Sequence, residues 1–237
     1  TDKSIFDGLY ISQNTALCNE YMGKYPVVFI SFKDVNGLTF DRAYDALVQI
    51  IGEIANGFSF LMNSDKLSKN EKEQYQGIIQ IKDGKYHMSD GVVISSLKVL
   101  SQLLTKHYGK NTIFIIDEYD VPLDKAFQHG YYDEMVELIR GILGKVLKTN
   151  DYLQFAILTG CLRISKESIF TGINNFKVLS ILDARFDEQF GFSDDEVKNL
   201  LADYGLASHF EEAKEWYDGY HLSLIHISEP TRLLSIS

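Results

Sequence analysis

Two adjacent carboxylates, Asp117 and Glu118, directly follow the apolar run 113–116. Such a run predicts a buried strand, and in a parallel sheet ligands collect at the carboxyl ends of the strands. An aspartate at that place can hold the shell of a magnesium ion, and the glutamate beside it can polarise a water for attack on a γ-phosphate. The same pattern also fits a solvated strand end with no chemistry, so both interpretations stay open at this point.

A second apolar run, 155–158, ends in Thr159 and is followed four residues later by Arg163. Four apolar residues followed by Asp-Glu form the Walker B pattern of many P-loop ATPases, in which a polar group on the next strand often senses phosphate. We therefore predict Asp117 and Thr159 as nucleotide-binding residues, with Asp117 also the metal ligand, and Glu118 and Arg163 as catalytic residues. Arg163 stays cationic and can stabilise charge on a γ-phosphate, although a structural salt bridge is an equal alternative.

The phosphate-binding loop that normally accompanies Walker B is absent from the sequence. None of the pairs Gly23-Lys24, Gly109-Lys110 and Gly144-Lys145 has both the upstream glycine and the following hydroxyl of G-x-x-x-x-G-K-[ST]. Without that loop the phosphates have neither a backbone cradle nor a lysine partner. We expect this chain by itself not to hydrolyse ATP.

Strands that alternate with amphipathic helices must position these side chains. The run 25–32 predicts a strand buried on both faces, and Thr39 is predicted to cap a helix over 40–54. Further helices are predicted over 90–108 and 131–148, and the polar stretch 63–88 is predicted to be a loop or a short surface excursion. A last strand is expected near 178–182, followed by two helices that begin at the capping boxes Ser193-x-x-Glu196 and Ser208-x-x-Glu211. This alternation favours an α/β fold with a mainly parallel sheet.

Composition narrows the class of protein. The 237 residues carry a net charge of −10, from 33 acidic and 23 basic side chains, which disfavours direct binding to nucleic acid. No apolar stretch approaches the length of a membrane span, and residues 1–3 have no signal-peptide pattern. Two cysteines, Cys18 and Cys161, fit a reducing compartment. We expect a cytoplasmic protein that does not bind membranes.

Several longer motifs are similar to those of the AAA-ATPase-like family of bacterial proteins, and they cover about residues 4–221. They occur in order at Phe6–Tyr10, Tyr25–Asp34, Ile116–Leu123, Leu158–Asn175, Phe190–Ser193 and Lys214–Tyr220. The resemblance implies a three-layer P-loop NTPase-like sheet with flanking helices. It also implies ATP and Mg²⁺ as cofactors of the intact protein, with a Walker A segment upstream. A PD-(D/E)XK nuclease-like domain is implied downstream, and any nucleic acid would be contacted only through that domain.

We therefore expect a piece of a longer protein, lacking the first strand and its phosphate-binding loop. Residues 1–190 would form the partial ATPase core and 191–221 a helical lid or junction. The eleven residues 222–232 equal the translation of a transposon-end adapter used for sequencing libraries. We expect 222–237 to be a non-native tail that originates from a metagenomic or other shotgun read.

Two other functions compete with the ATPase interpretation. The chain could be a non-catalytic protein-interaction module in which the Walker B carboxylates are relics. Alternatively, Asp117, Glu118 and Asp120 could form the metal site of a nuclease, although this needs a lysine on a neighbouring strand and conflicts with the charge of −10.

Overall fold

The computed structural model of the chain describes residues 2–161, 177–179, 192–222 and 225–228. It contains two compact units, residues 1–174 and 175–237, which are described separately. The first unit carries the sheet and the predicted carboxylates. The division into 1–190, 191–221 and 222–237 stays a prediction.

The first unit is an α/β structure built on a three-stranded parallel sheet. Its helices and strands follow one another as α1 (Thr15–Tyr21), β1 (Val27–Ser31), α2 (Phe40–Asn56), α3 (Lys69–Ile79), β2 (Ile81–Lys82), β3 (Lys85–Tyr86), α4 (Asp90–Tyr108), β4 (Thr112–Asp117), α5 (Val121–His129), α6 (Tyr132–Leu147) and β5 (Leu153–Leu158). The predicted parallel α/β fold with flanking helices is confirmed.

One face of this sheet is packed and the other is partly open. Val28 and Ile30 of β1 are fully buried, as are their register partners on β4, whereas Val27 is 44% and Phe29 56% exposed. The prediction that β1 is buried on both faces is therefore wrong. The strands of the sheet lie in the order β1-β4-β5, which is also their order in the sequence. Successive right-handed crossovers that proceed in one direction across a sheet place their helices on the same face.

The open face, defined here as Val27, Phe29, Phe155 and Ile157, is apolar. The register aligns Val27 with Phe155 and Phe29 with Ile157 through the intervening β4 residues, so the four side chains share one side of the sheet. Phe155 and Ile157 are 37% and 49% exposed. Such a patch is costly to leave in water.

The helix ends agree with the sequence in some places and differ in others. Helix α4 ends as predicted at Gly109, which takes the left-handed conformation (φ 69°) that glycine adopts without strain. Helix α2 begins as predicted after Thr39, but the Thr39 side chain makes no capping hydrogen bond. The predicted loop 63–88 is wrong, because it contains α3 and the β2–β3 hairpin. Buried Tyr75 and Ile78 anchor α3 against the core in spite of its polar composition.

The second unit contains β6 (Phe192–Ser193), α7 (Asp194–Asp203), α8 (Phe210–Tyr217), β7 (Asp218–Leu222) and β8 (Ile225–Ser228). Its strands form an antiparallel sheet in the order β6-β8-β7. The capping box at Ser193 is confirmed, with both reciprocal hydrogen bonds to Glu196. The capping box predicted at Ser208 is wrong, because Ser208 lies within a short 3-10 turn and α8 begins at Phe210.

The structure does not test two further sequence predictions, the strand near 178–182 and the adapter origin of the tail 222–237. Residues 178 and 179 have no regular structure, and the rest of the strand predicted near 178–182 lies outside the described residues. Strand β8 lies within the predicted adapter-derived tail. Its pairing does not test that origin, since the alternation Ile225-His-Ile-Ser suits any free strand edge. In the described part of the chain, no helix has the length and apolarity needed to cross a membrane.

An ion pair between α3 and α4 leads to a prediction about how the stability of the fold depends on pH. The ammonium of Lys106 donates to both carboxylate oxygens of Glu71 at 2.8 Å, and the Ser68 backbone N–H donates to the same carboxylate at 2.7 Å. The bond to Lys106 above all lowers the pKa of Glu71 from 4.5 to about 2. Because folding lowers this pKa, the carboxylate stabilises the fold above about pH 4.5, and that contribution is lost as the pH falls toward 2.

Replacing Glu71 by glutamine should therefore reduce the free energy of unfolding at pH 7 by about 1–2 kcal/mol, since Lys106 is half-exposed and its attraction is screened. Urea denaturation should show this difference at pH 7 and a smaller one at pH 3. Glu73→Gln is the matched control, because its 3.9 Å pair with Lys69 is solvent-exposed and should contribute nothing measurable. Equal losses in the two variants would contradict the prediction.

Candidate active site at the ends of the parallel strands

The carboxyl ends of the three parallel strands place the predicted residues along one edge. Asp117, the last residue of β4, aligns with Ser31 at the end of β1, and the Phe32 N–H donates to the Asp117 carbonyl at 2.9 Å. On the other side, the Thr159 N–H donates to the Ile116 carbonyl at 2.9 Å. Asp117 thus has a hydroxyl-bearing residue beside it on each neighbouring strand.

Asp117 and Thr159 are joined directly through their side chains. The Thr159 hydroxyl donates a hydrogen bond to Oδ1 of Asp117. This bond orients the carboxylate through Oδ1 and does not involve Oδ2. The sequence predicts that these two residues lie at the ends of two strands, and the structure shows the hydrogen bond between them.

Glu118 occupies an unusual backbone conformation. Its φ of 52° lies in the left-handed region that non-glycine residues seldom adopt. The turn is closed by the Val121 N–H, which donates to the Glu118 carbonyl at 3.2 Å. Conformations of this kind cost of order 1 kcal/mol and concentrate at functional sites, where the surrounding structure holds them in place. The turn keeps Glu118 directly beside Asp117 and allows α5 to begin three residues later.

Asp120 and Gly160 form a second contact between the same two strand ends. Asp120 is only 3% exposed, and a Cβ built on Gly160 would lie 2.4 Å from its Oδ1. The Tyr119 N–H also donates to the Thr159 carbonyl at 3.2 Å. Glycine is therefore required at position 160 for the segment after β4 to pack against the end of β5. Sequence reasoning missed this role, although a glycine directly after a predicted strand was a signal of close backbone approach.

The structure thus brings together three of the four predicted site residues: Asp117, Glu118 and Thr159. Arg163 lies outside the described residues. Among the residues that the structure describes, no group of three His, Cys, Asp or Glu side chains is arranged to hold a metal ion. Asp120, the third carboxylate of the alternative nuclease site, is buried against Gly160.

The residues present do fit a magnesium ion that is shared with a nucleotide. Mg²⁺ commonly takes only one or two protein ligands, keeps several waters and completes its shell with phosphate oxygens. One oriented carboxylate with a hydroxyl beside it is sufficient protein ligation for such a site. The edge is therefore suited to hold a metal only together with a phosphate-bearing ligand.

Comparison with known proteins finds a distant relative of part of the chain. Over 127 residues the chain is 28% identical to a protein of Azotobacter chroococcum mcd 1 described as an uncharacterized protein in the vnfD 5′ region. The match covers 53% of this chain and 24% of the relative, so the chain spans about a quarter of that relative's length. No solved structure matches the chain.

A family model described as "Predicted AAA-ATPase" matches residues 1–170, which contain the whole parallel sheet, both predicted carboxylates and Thr159. That match covers most of the 237 residues. The chain belongs to the predicted AAA-ATPase family.

Proposed function

We propose that this chain is the Walker B and sensor portion of an ATP-binding module, and that the intact protein uses ATP and Mg²⁺. The observation that carries the proposal is the hydrogen bond from the Thr159 hydroxyl to the Asp117 carboxylate, at the ends of two adjacent parallel strands. This contact links the strand predicted to sense phosphate to the strand predicted to hold the metal.

Each residue has a distinct role in the proposed reaction. Asp117 holds the magnesium shell, and Thr159 fixes the orientation of its carboxylate. Glu118 orients and polarises the attacking water, accepting its hydrogen bond. Bound ATP and Mg²⁺ supply the electrophilic phosphorus and neutralise the charge that develops on the phosphate oxygens. We also assign Arg163 to stabilising this charge, because its guanidinium stays cationic and follows β5 in the sequence.

The phosphate-binding loop is proposed to come from a preceding segment of the intact protein. The edge of β5 that faces away from β4 pairs with no strand among the described residues, and Phe155 and Ile157 beside it are partly exposed. A further parallel strand that pairs with β5, followed by its helix, would cover the open face. The relative is about four times as long as the matched segment, which leaves room for such a unit. On the resemblance, residues 191–221 act as a lid and the module regulates a nuclease-like domain in cis.

The open face also supports the competing function, a non-catalytic interaction module. Four partly exposed apolar side chains on one side of a sheet suit a protein partner as well as an intramolecular helix. Recovery of the preceding coding sequence separates the two functions. A G-x-x-x-x-G-K-[ST] segment within about fifty residues of Ser4 supports the ATPase, and a sequence without it supports the interaction module.

Thr159→Val in the intact protein tests the proposed contact. Valine keeps the shape of threonine but cannot donate to Asp117, so magnesium-dependent ATP turnover should fall about tenfold with little change in thermal stability. Thr159→Ser is the matched control, since it keeps the hydroxyl, and it should retain most of the turnover. If valine and serine variants turn over ATP as fast as the native protein, Thr159 has no part in the reaction.

A further inference from the structure

A cavity of about 480 Å³ lies between the start of α2 and the last turns of α5. Lys125, Gln128 and His129 line it from α5, and Arg42 lines it from the first turn of α2. The three α5 residues are spaced i, i+3 and i+4, which places them on one side of that helix. We call this volume the basic cavity.

The charge of the basic cavity is opposite to that of the protein. Arg42, Lys125 and His129 are among its seven lining residues, and none of the seven is acidic. The whole chain, in contrast, has 33 acidic side chains against 23 basic ones. A concave site that gathers cations and lacks carboxylates in an acidic protein is suited to a small anion.

The cations of the basic cavity are available to a ligand. No described residue forms an ion pair with Arg42, and Lys125 has only a loose contact of 3.9 Å with its exposed neighbour Asp124. Asp124 also accepts a hydrogen bond from the Gln128 amide at 2.7 Å, which holds that side chain in place. A dianion can compete with such a solvent-exposed pair, because the pair itself is weak.

The wall opposite α5 is held in a fixed position. The buried Tyr131 hydroxyl donates to the Gly37 carbonyl at 2.7 Å, which ties the loop before α2 to the segment that begins α6. A Cβ on Gly37 would lie 2.7 Å from the Ala43 nitrogen, so this loop packs directly on the first turn of α2. The positive end of the α2 dipole adds to the attraction for an anion beside Arg42.

We propose that the basic cavity binds a phosphate group, either free or as the phosphate end of a small molecule. The guanidinium of Arg42 matches the oxygens of a phosphate in a planar fork, Lys125 supplies a point charge from the other wall, and the His129 ring can donate a hydrogen bond. A volume of this size accommodates a phosphate with a small organic body. Its lining includes none of Asp117, Glu118 and Thr159, and the proposal does not depend on the proposed function.

A second cavity provides the internal control. It is about 330 Å³ in volume and is lined by Lys98, Lys145 and Lys148 beside the end of α6. The Lys98 ammonium already donates to the Thr149 carbonyl at 3.2 Å. This cavity has no guanidinium to bind phosphate in a planar fork, and one of its three lysines is already engaged, so it should hold phosphate less well than the basic cavity. Lys145→Gln therefore removes the same charge as Lys125→Gln from a different place.

The experiment titrates the 237-residue chain with inorganic phosphate, pyrophosphate and adenosine monophosphate at constant pH and ionic strength. Calorimetry measures affinity, and the ring resonances of His129 report binding in the basic cavity. Phosphate should shift the His129 resonances and saturate at roughly millimolar concentration. Arg42→Gln and Lys125→Gln should each weaken binding about tenfold, while Lys145→Gln should leave it unchanged.

The arms of the titration also identify the source of the phosphate. Equal affinity for phosphate and adenosine monophosphate indicates a free anion, and tighter binding of the monophosphate indicates a nucleotide; both outcomes support the site. Binding that fails to saturate, or that leaves His129 unchanged, overturns the proposal. Equal weakening by Lys145→Gln, or binding of a single-stranded oligonucleotide without binding of phosphate, also overturns it.

Discussion

Replacing Glu118 by glutamine in the intact protein should lower ATP turnover at least about a hundredfold, while ATP binding persists. Glutamine has the same shape as glutamate but cannot accept a proton or polarise water as a carboxylate does. Asp117 and Thr159 remain in place in this variant, so the magnesium shell and the phosphate contacts are kept. Turnover is measured by phosphate release, and binding by equilibrium titration with ATP in the presence of Mg²⁺.

The backbone at Glu118 makes this substitution a clean test. Its left-handed φ of 52° is imposed by the turn that follows β4, and glutamine tolerates that conformation about as well as glutamate. A loss of turnover is therefore due to the missing carboxylate and not to a change in the conformation of the turn. Glu137→Gln, an exposed position on α6, is the matched control and should keep native turnover. Unchanged turnover in Glu118→Gln would remove Glu118 from the proposed reaction.

The carboxylates could be located from the sequence because their position depends on local information. An apolar run predicts a buried strand, and the first polar residues after it must lie at the strand end. Asp117 and Glu118 therefore lie where the pattern placed them, and Thr159 does so on the next strand. The contact between Asp117 and Thr159 follows once the strands are known to be adjacent, because parallel strand ends meet at one edge.

Other features could not be predicted because they depend on distant parts of the chain. The requirement for glycine at position 160 arises only when Asp120 packs against it, 40 positions earlier in the sequence. The exposure of Val27 and Phe29 follows from the direction in which the crossovers run, which an apolar run cannot reveal. The polar stretch 63–88 forms α3 and a hairpin because two buried side chains, Tyr75 and Ile78, are sufficient to anchor it.

The close packing of that hairpin against α2 leads to the second large prediction. Gln49 of α2 pairs with the Tyr86 backbone in both directions: its amide donates to the Tyr86 carbonyl at 3.0 Å, and the Tyr86 N–H donates to its Oε1 at 3.1 Å. One turn along α2, Gly52 lies under the Tyr86 ring. A Cβ at position 52 would lie 2.2 Å from Cγ and 2.7 Å from Cβ of Tyr86. Real side chains do not approach this closely.

Gly52→Ala should therefore lower the free energy of unfolding by about 2–3 kcal/mol. Rotation of the Tyr86 ring about χ1 leaves its Cβ 2.7 Å from the new methyl group, and the Tyr86 backbone is held by Gln49. The hairpin must shift as a unit and lose those two hydrogen bonds. Urea denaturation measures the change, and proteolysis within 80–88 should become faster as the hairpin leaves α2.

Gly77→Ala is the matched control, because it makes the same substitution inside helix α3 with no atom within 4 Å of the new methyl group. Alanine is favoured over glycine in a helix interior, so this variant should be more stable by about 0.5–1 kcal/mol. Helix propensity alone would make Gly52→Ala more stable as well. A loss of stability in Gly52→Ala beside a gain in Gly77→Ala therefore identifies the steric conflict with Tyr86.

Adding Tyr86→Ala to Gly52→Ala removes the nearest ring atoms and should restore part of the lost stability. A Gly52→Ala protein as stable as Gly77→Ala would mean that the hairpin does not pack on α2 as described.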